Sequence, residues 1–146
     1  MFNFDLQALL DARQIEEERK QTDFAEAMRE VSAQKAILED IREKRRVMTQ
    51  EFYTLEGKPV DSQRPAMYIG NIAMYRQMEA DQEEQCRRAE QEAEAKRLLL
   101  IEAAKQKKML EKLKEKRLEE YRLALNMKEN KELDESSILR YGGPSS

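Results

Sequence analysis

The chain has 146 residues, 39% of them charged, with a net charge of -3 and only four glycines, three prolines, one cysteine and no histidine or tryptophan. An ordinary globular domain carries about 25% charged residues, so apolar mass is short for one compact core, and chain breakers are too few for a fold with many turns. Without histidine, every mechanism that needs imidazole as base or metal ligand is excluded, and a lone Cys86 forms neither an internal disulfide nor a thiolate metal site.

The elements follow from where the breakers sit. Met1 to Asp11 has no basic segment ahead of an apolar core, so no secretory signal is expected there. A first helix is predicted to begin near residue 3, with Asn3 or Asp5 as its cap. Its apolar seam starts at Phe2, Leu6 and Leu9, turns polar through Arg13, Glu16, Lys20 and Asp23, and resumes at Phe24, Met28, Val31, Leu38, Ile41, Met48, Phe52 and Leu55. Gly57, Pro59 and Pro65 then mark a hairpin loop, and Pro65 suits the first turn of a second helix, where its missing N–H costs nothing. The reading is residues 1–56 first long helix, 57–65 loop, 66–140 second long helix, and 141–146 a flexible tail holding Gly142, Gly143 and Pro144.

In the second helix, steps of three and four from Ile72 visit Tyr75, Glu79, Gln82, Cys86, Ala89, Ala93, Lys96, Leu100, Ala103, Lys107 and Leu110. That is a heptad seam, made weak by its alanines and polar residues. Cys86 falls on it and is expected to be a buried, inert thiol. Purely apolar runs such as Leu98 to Ile101 fall far short of the roughly 20 residues that span a bilayer.

Charge sets the pairing direction. Segment 96–117 holds nine basic and three acidic residues, and segment 5–26 holds seven acidic and three basic. Arg42, Lys44, Arg45 and Arg46 lie, across the loop, from Glu79, Asp81, Glu83 and Glu84. Opposed charge blocks select partner and orientation in coiled coils, so the expected fold is all-α: a long antiparallel two-helix coiled-coil hairpin. Paired residue numbers should total about 122, and the second helix should then run roughly 20 residues, or about 30 Å, past the first. The overhang contains Tyr121, Leu123, Leu125, Met127, Leu133, Ile138, Leu139 and Tyr141.

The chemistry available is narrow. The glycines form no phosphate-binding loop, and carboxylates on two paired helices lack a pocket to shift their titration. The chain is not expected to be an enzyme, nor to hold a cofactor or metal. The basic run Lys105 to Arg117 lacks stacking aromatics and faces an acidic segment, which argues against nucleic acid. Two regions have more apolar surface than one seam can bury. One is the hairpin tip, with Phe52, Tyr53, Met67, Tyr68, Ile69, Ile72, Met74 and Tyr75, and four of the nine aromatics. The other is the opposite end, with Phe2, Phe4, Leu6, Leu9, Leu10 and the overhang. Exposed aromatic and Met clusters are typical binding anchors.

The ordered residues also resemble a known family. The start Phe2-Asn3-Phe4-Asp5-Leu6-Gln7-Ala8-Leu9-Leu10-Asp11-Ala12-Arg13 with Glu16-Glu17-Glu18 resembles the opening of the flagellar export protein FliJ. So do Tyr68-Ile69 with Ile72, the stretch Leu110 to Tyr121, and the end Lys128 to Glu135 with Arg140-Tyr141. The resemblance implies a hairpin similar to the central stalk (gamma) subunit of rotary ATP synthases. It implies a stalk and general chaperone of the bacterial flagellar type III export apparatus, whose chain ends insert into a hexameric export ATPase. The rest would reach the export-gate membrane protein (FlhA), with export chaperones as further partners. The location implied is cytoplasmic, peripheral to the inner face of the membrane at the flagellar base, without membrane insertion. Carried over by residue, the gate-side candidates are Phe52, Tyr53, Tyr68, Ile72 and Tyr75, and the ATPase-side candidates are Leu6, Leu10, Arg13, Leu133, Asp134, Glu135, Arg140 and Tyr141. Two alternatives stay open on the sequence: a generic coiled-coil scaffold, which would be a homodimer where the stalk is a monomeric hairpin, and the equivalent stalk protein of a virulence secretion system.

Overall fold

The computed structural model describes residues 1–55 and 63–141. Two helices account for nearly all of them: α1, Gln7–Thr54, and α2, Gln63–Tyr141. They pack together as an antiparallel hairpin, and no strand occurs among the described residues. Most of the expected loop 57–65 and the tail beyond Tyr141 lie outside the described residues. Helices of 48 and 79 residues form because Glu, Lys, Arg, Gln, Ala, Leu and Met, all good helix formers, dominate the chain between its breakers. Pro65 sits in the first turn of α2, among the N–H positions that lack an intrahelical acceptor anyway. Gly70 lies further along, and a Cβ built there would meet nothing within 4 Å. Packing does not require that glycine, which costs the helix about 1 kcal/mol relative to Ala.

The chain divides into two compact units: Glu18–Ile101, and Met1–Glu17 with Glu102–Ser146. In the first unit, Val31, Leu38 and Ile41 of α1 and Ile72, Cys86 and Ala93 of α2 are buried. Cys86 is therefore the buried thiol expected from its seam position. Ala93 is only 4% exposed because alanine is small enough for the facing helix to close over it. In the second unit the buried residues are Phe4, Leu10 and Ala103. Every position on the α2 seam from Ile72 to Leu110 is buried or half-buried, including the polar Glu79, Gln82, Lys96 and Lys107. On α1 the seam holds with two exceptions, Met28 and Leu9, both exposed. The buried residue next to Leu9 is Leu10, since a turn ahead of α1 (the Gln7 N–H donating to the Phe4 carbonyl at 3.0 Å) sets the helix phase.

Asp5 does not serve as the expected cap. It lies in that turn, ahead of α1, and its carboxylate accepts a hydrogen bond from Nη1 of Arg117 on α2. The Arg117 guanidinium also stands over the Phe4 ring, 5.6 Å from its centroid, a distance at which the cation–π attraction operates. One residue thus ties the start of the chain to α2 by charge and by ring contact.

Candidate partner-binding surfaces

In the tip-proximal unit polar side chains on and beside the seam pair across the two helices. Arg45 Nε donates to Glu79 Oε2 at 2.7 Å, Arg42 Nε to Glu79 Oε1 at 3.2 Å, and Arg42 Nη2 reaches Glu83 Oε1 at 3.4 Å. Gln82 Nε2 donates to both the backbone carbonyl and Oε1 of Gln34, at 3.0 and 2.7 Å. Lys35 pairs with Glu90 at 3.4 Å. The pairs total between 116 and 125, around the ~122 expected for folding about the loop, where the opposed charge blocks meet.

The Glu79 side chain is 15% exposed. Burial pushes its carboxyl up, but the hydrogen bonds from Arg45 and Arg42 outweigh burial and hold it below its ordinary value. A carboxylate depressed in the folded state stabilises above its unfolded value, about pH 4.3, and that contribution disappears as pH falls through the folded value. The urea midpoint of the native chain should therefore drop more between pH 7 and about pH 3 than that of Glu79→Gln. Equal drops would show that this pair carries no pH-linked stability. In the other unit, Lys107 is raised by its hydrogen bond to Glu17, 3.3 Å away. Its contribution has the opposite sense: present below the unfolded lysine value and lost as pH rises through the folded one.

Tip residues gather on a groove of about 470 Å³ whose lining includes Thr49, Phe52, Tyr53, Ile69, Ile72 and Arg76. The groove brings together three of the gate-side candidates, Phe52, Tyr53 and Ile72. Ile72 forms its buried floor, Phe52 is half-buried, and Tyr53 is 62% exposed with its ring 6.0 Å from that of Phe52. Tyr68 and Tyr75 are half-buried and do not line this groove. Tyr75 instead lines a second hollow with Lys44, Val47 and Met48. Ile69, in the groove wall, and Met67 and Met74 are exposed. Thr49, Ala73 and Arg76 enter the groove without having been singled out by sequence, since small and polar residues gain a place in a site only when two helices lie side by side.

At the chain ends, Phe2 packs its ring 5.7 Å from that of Tyr121. Leu10 is 7% exposed and holds α1 to α2, and Leu6 and Arg13 are half-buried. Beyond Tyr121, α2 continues to Tyr141 with every side chain from Arg122 to Arg140 exposed. Leu133, Asp134, Glu135 and Arg140 stand on this segment, and the side chain of Tyr141 lies outside the described residues. Leu123, Met127, Leu133, Ile138 and Leu139 are all exposed there, Leu139 to 81%. At about 100° per residue Leu123, Met127, Leu133 and Ile138 fall within one arc of about 140°, and Leu125 and Leu139, also exposed, fall on the opposite side of the helix.

Among the described residues, no helix is long and apolar enough to cross a membrane. Compared with known protein families, residues 2–146 match the family described as Flagellar FliJ protein. Comparison with curated proteins and with solved structures gives no match.

Proposed function

The chain belongs to the flagellar FliJ family, and from that premise we propose that it is a non-enzymatic stalk of the flagellar export apparatus, held at its chain ends by a hexameric export ATPase and at its tip by the export-gate protein FlhA. Family membership supports the stalk-type role in flagellar export. The observation that carries the finer reading is the end of α2, an exposed helical segment with apolar side chains on two opposite sides. Such a segment buries all of its apolar surface when it is contacted from both sides, as in the central hole of a ring. Export chaperones are further partners in this reading, and the protein acts at the cytoplasmic face of the membrane.

The gate contact in this reading is the tip groove, where Tyr53 and Ile69 offer a half-open apolar wall over Ile72. Exposed aromatic and aliphatic anchors of this kind typically contribute 2 kcal/mol or more to an interface, about a thirtyfold effect on affinity. Tyr53→Ala with Ile69→Ala is accordingly expected to weaken binding to the gate protein by about that factor and leave binding to the ATPase unchanged. Pull-down of each partner separately with the full chain checks this. Equal loss of both would indicate a folding defect, and loss of neither would place the gate contact elsewhere.

A further inference from the structure

The basic stretch of α2 carries more positive charge than the hairpin neutralises. Of its nine basic residues between 96 and 117, Lys107 and Arg117 pair across to Glu17 and Asp5 of the facing chain segment. Lys96 and Arg97 pair along the helix with Glu92 and Glu94. Lys105, Lys108, Lys112 and Lys116 are exposed, and among the described residues they make no ion pair. Their spacing of three, four and four residues puts them in one row on a single face of α2, about 16 Å long. Met109, 69% exposed, stands beside the row.

We infer that this lysine row is a docking surface for an acidic helix of a partner protein, laid alongside α2 as a third strand. Three observations select that occupant. The three-four spacing is the one a neighbouring helix reads, because it keeps successive contacts on one face of both. The same basic stretch already holds the acidic start of the chain on its opposite face, through Lys107 to Glu17 on α1 and Arg117 to Asp5 in the turn ahead of it, so an acidic helix matches a contact it already makes. The row also lacks what single-stranded nucleic acid and a bilayer need. It offers no aromatic side chain for a base to stack on, and Met109 is its only large exposed apolar residue, too little to seat a helix in a bilayer. The inference does not depend on the stalk reading, since it concerns a face of α2 well before the overhang.

The test uses the full chain and a synthetic three-heptad peptide with Leu at the a and d positions and Glu at the flanking positions. A scrambled peptide of the same composition is the comparison, with binding followed by fluorescence anisotropy at low ionic strength. The heptad peptide should bind at least about tenfold more tightly than the scrambled one, and the fourfold Lys105→Gln, Lys108→Gln, Lys112→Gln, Lys116→Gln variant should lose at least about tenfold. The matching fourfold Lys→Arg variant should keep binding, which separates lost charge from lost fold. Equal binding of the two peptides overturns the proposal, as does full binding by the glutamine variant or loss by the arginine one. Tighter binding of phosphatidylglycerol vesicles or duplex DNA through the same lysines would overturn it in favour of a diffuse polyanion site.

Discussion

A chain cut after Met127 is expected to stay helical and to lose its stimulation of the export ATPase. The cut removes Leu133, Ile138 and Leu139, all exposed in the free chain, and leaves every buried residue of both units in place. Among the described residues none that holds α1 to α2 is lost, so circular dichroism per residue should be no lower, and the urea midpoint should match the full chain. Stimulation should fall to the ATPase's own basal rate, measured as phosphate release. Those three side chains are each worth about 1.5–3 kcal/mol when fully buried, enough together to decide whether the complex forms. Full stimulation by the shortened chain would remove the ring-insertion reading. Loss of helicity alongside loss of stimulation would mean that the segment supports the hairpin instead.

The second large effect is on stability. Ile41→Ala should lower it by about 2–4 kcal/mol, the cost of emptying a buried aliphatic site. Ile41 is 7% exposed and sits in the same unit as Val31, Leu38 and Ile72. No side chain among the described residues is fully buried, so there is no reserve core, and a total stability of about 5–15 kcal/mol makes the loss a large share. Leu99→Ala offers the contrast: Leu99 is exposed off the seam and should cost no more than about 0.5 kcal/mol. Urea unfolding of the two variants side by side separates them. An unmoved midpoint for Ile41→Ala would mean that this residue does not bind the helices together.

The architecture could be read before any coordinates because its determinants are local and periodic. Breakers are confined to one loop and one tail, a helical chain tolerates few other interruptions, and charge blocks of opposite sign leave one favourable alignment. The α2 seam from Ile72 to Leu110 is the one the structure buries. Sequence reading failed where a position is decided by helix phase or by a neighbour. Leu9 and Leu10 are chemically identical, and only the turn from Phe4 to Gln7 decides which one faces inward. Asp5 has the chemistry of a cap, yet an arginine more than a hundred residues away takes its carboxylate. The tip groove was half visible: its aromatics stand out in composition, but Thr49, Ala73 and Arg76 join it only through the side-by-side placement of α1 and α2.

The unaccompanied end of α2 has one more consequence, for affinity rather than shape. A helix of this length without side-chain support is marginal in water, so a partner that grips it must also supply part of the free energy that keeps it wound. The binding constant is then net of helix formation, and residues that touch nothing become able to tune it. Asn126 and Asn130, exposed and poor helix formers, hold the segment back from its bound form. Alanine at either place would tighten the complex by strengthening the free chain's own order, so the strength of this contact is set partly in the unbound protein.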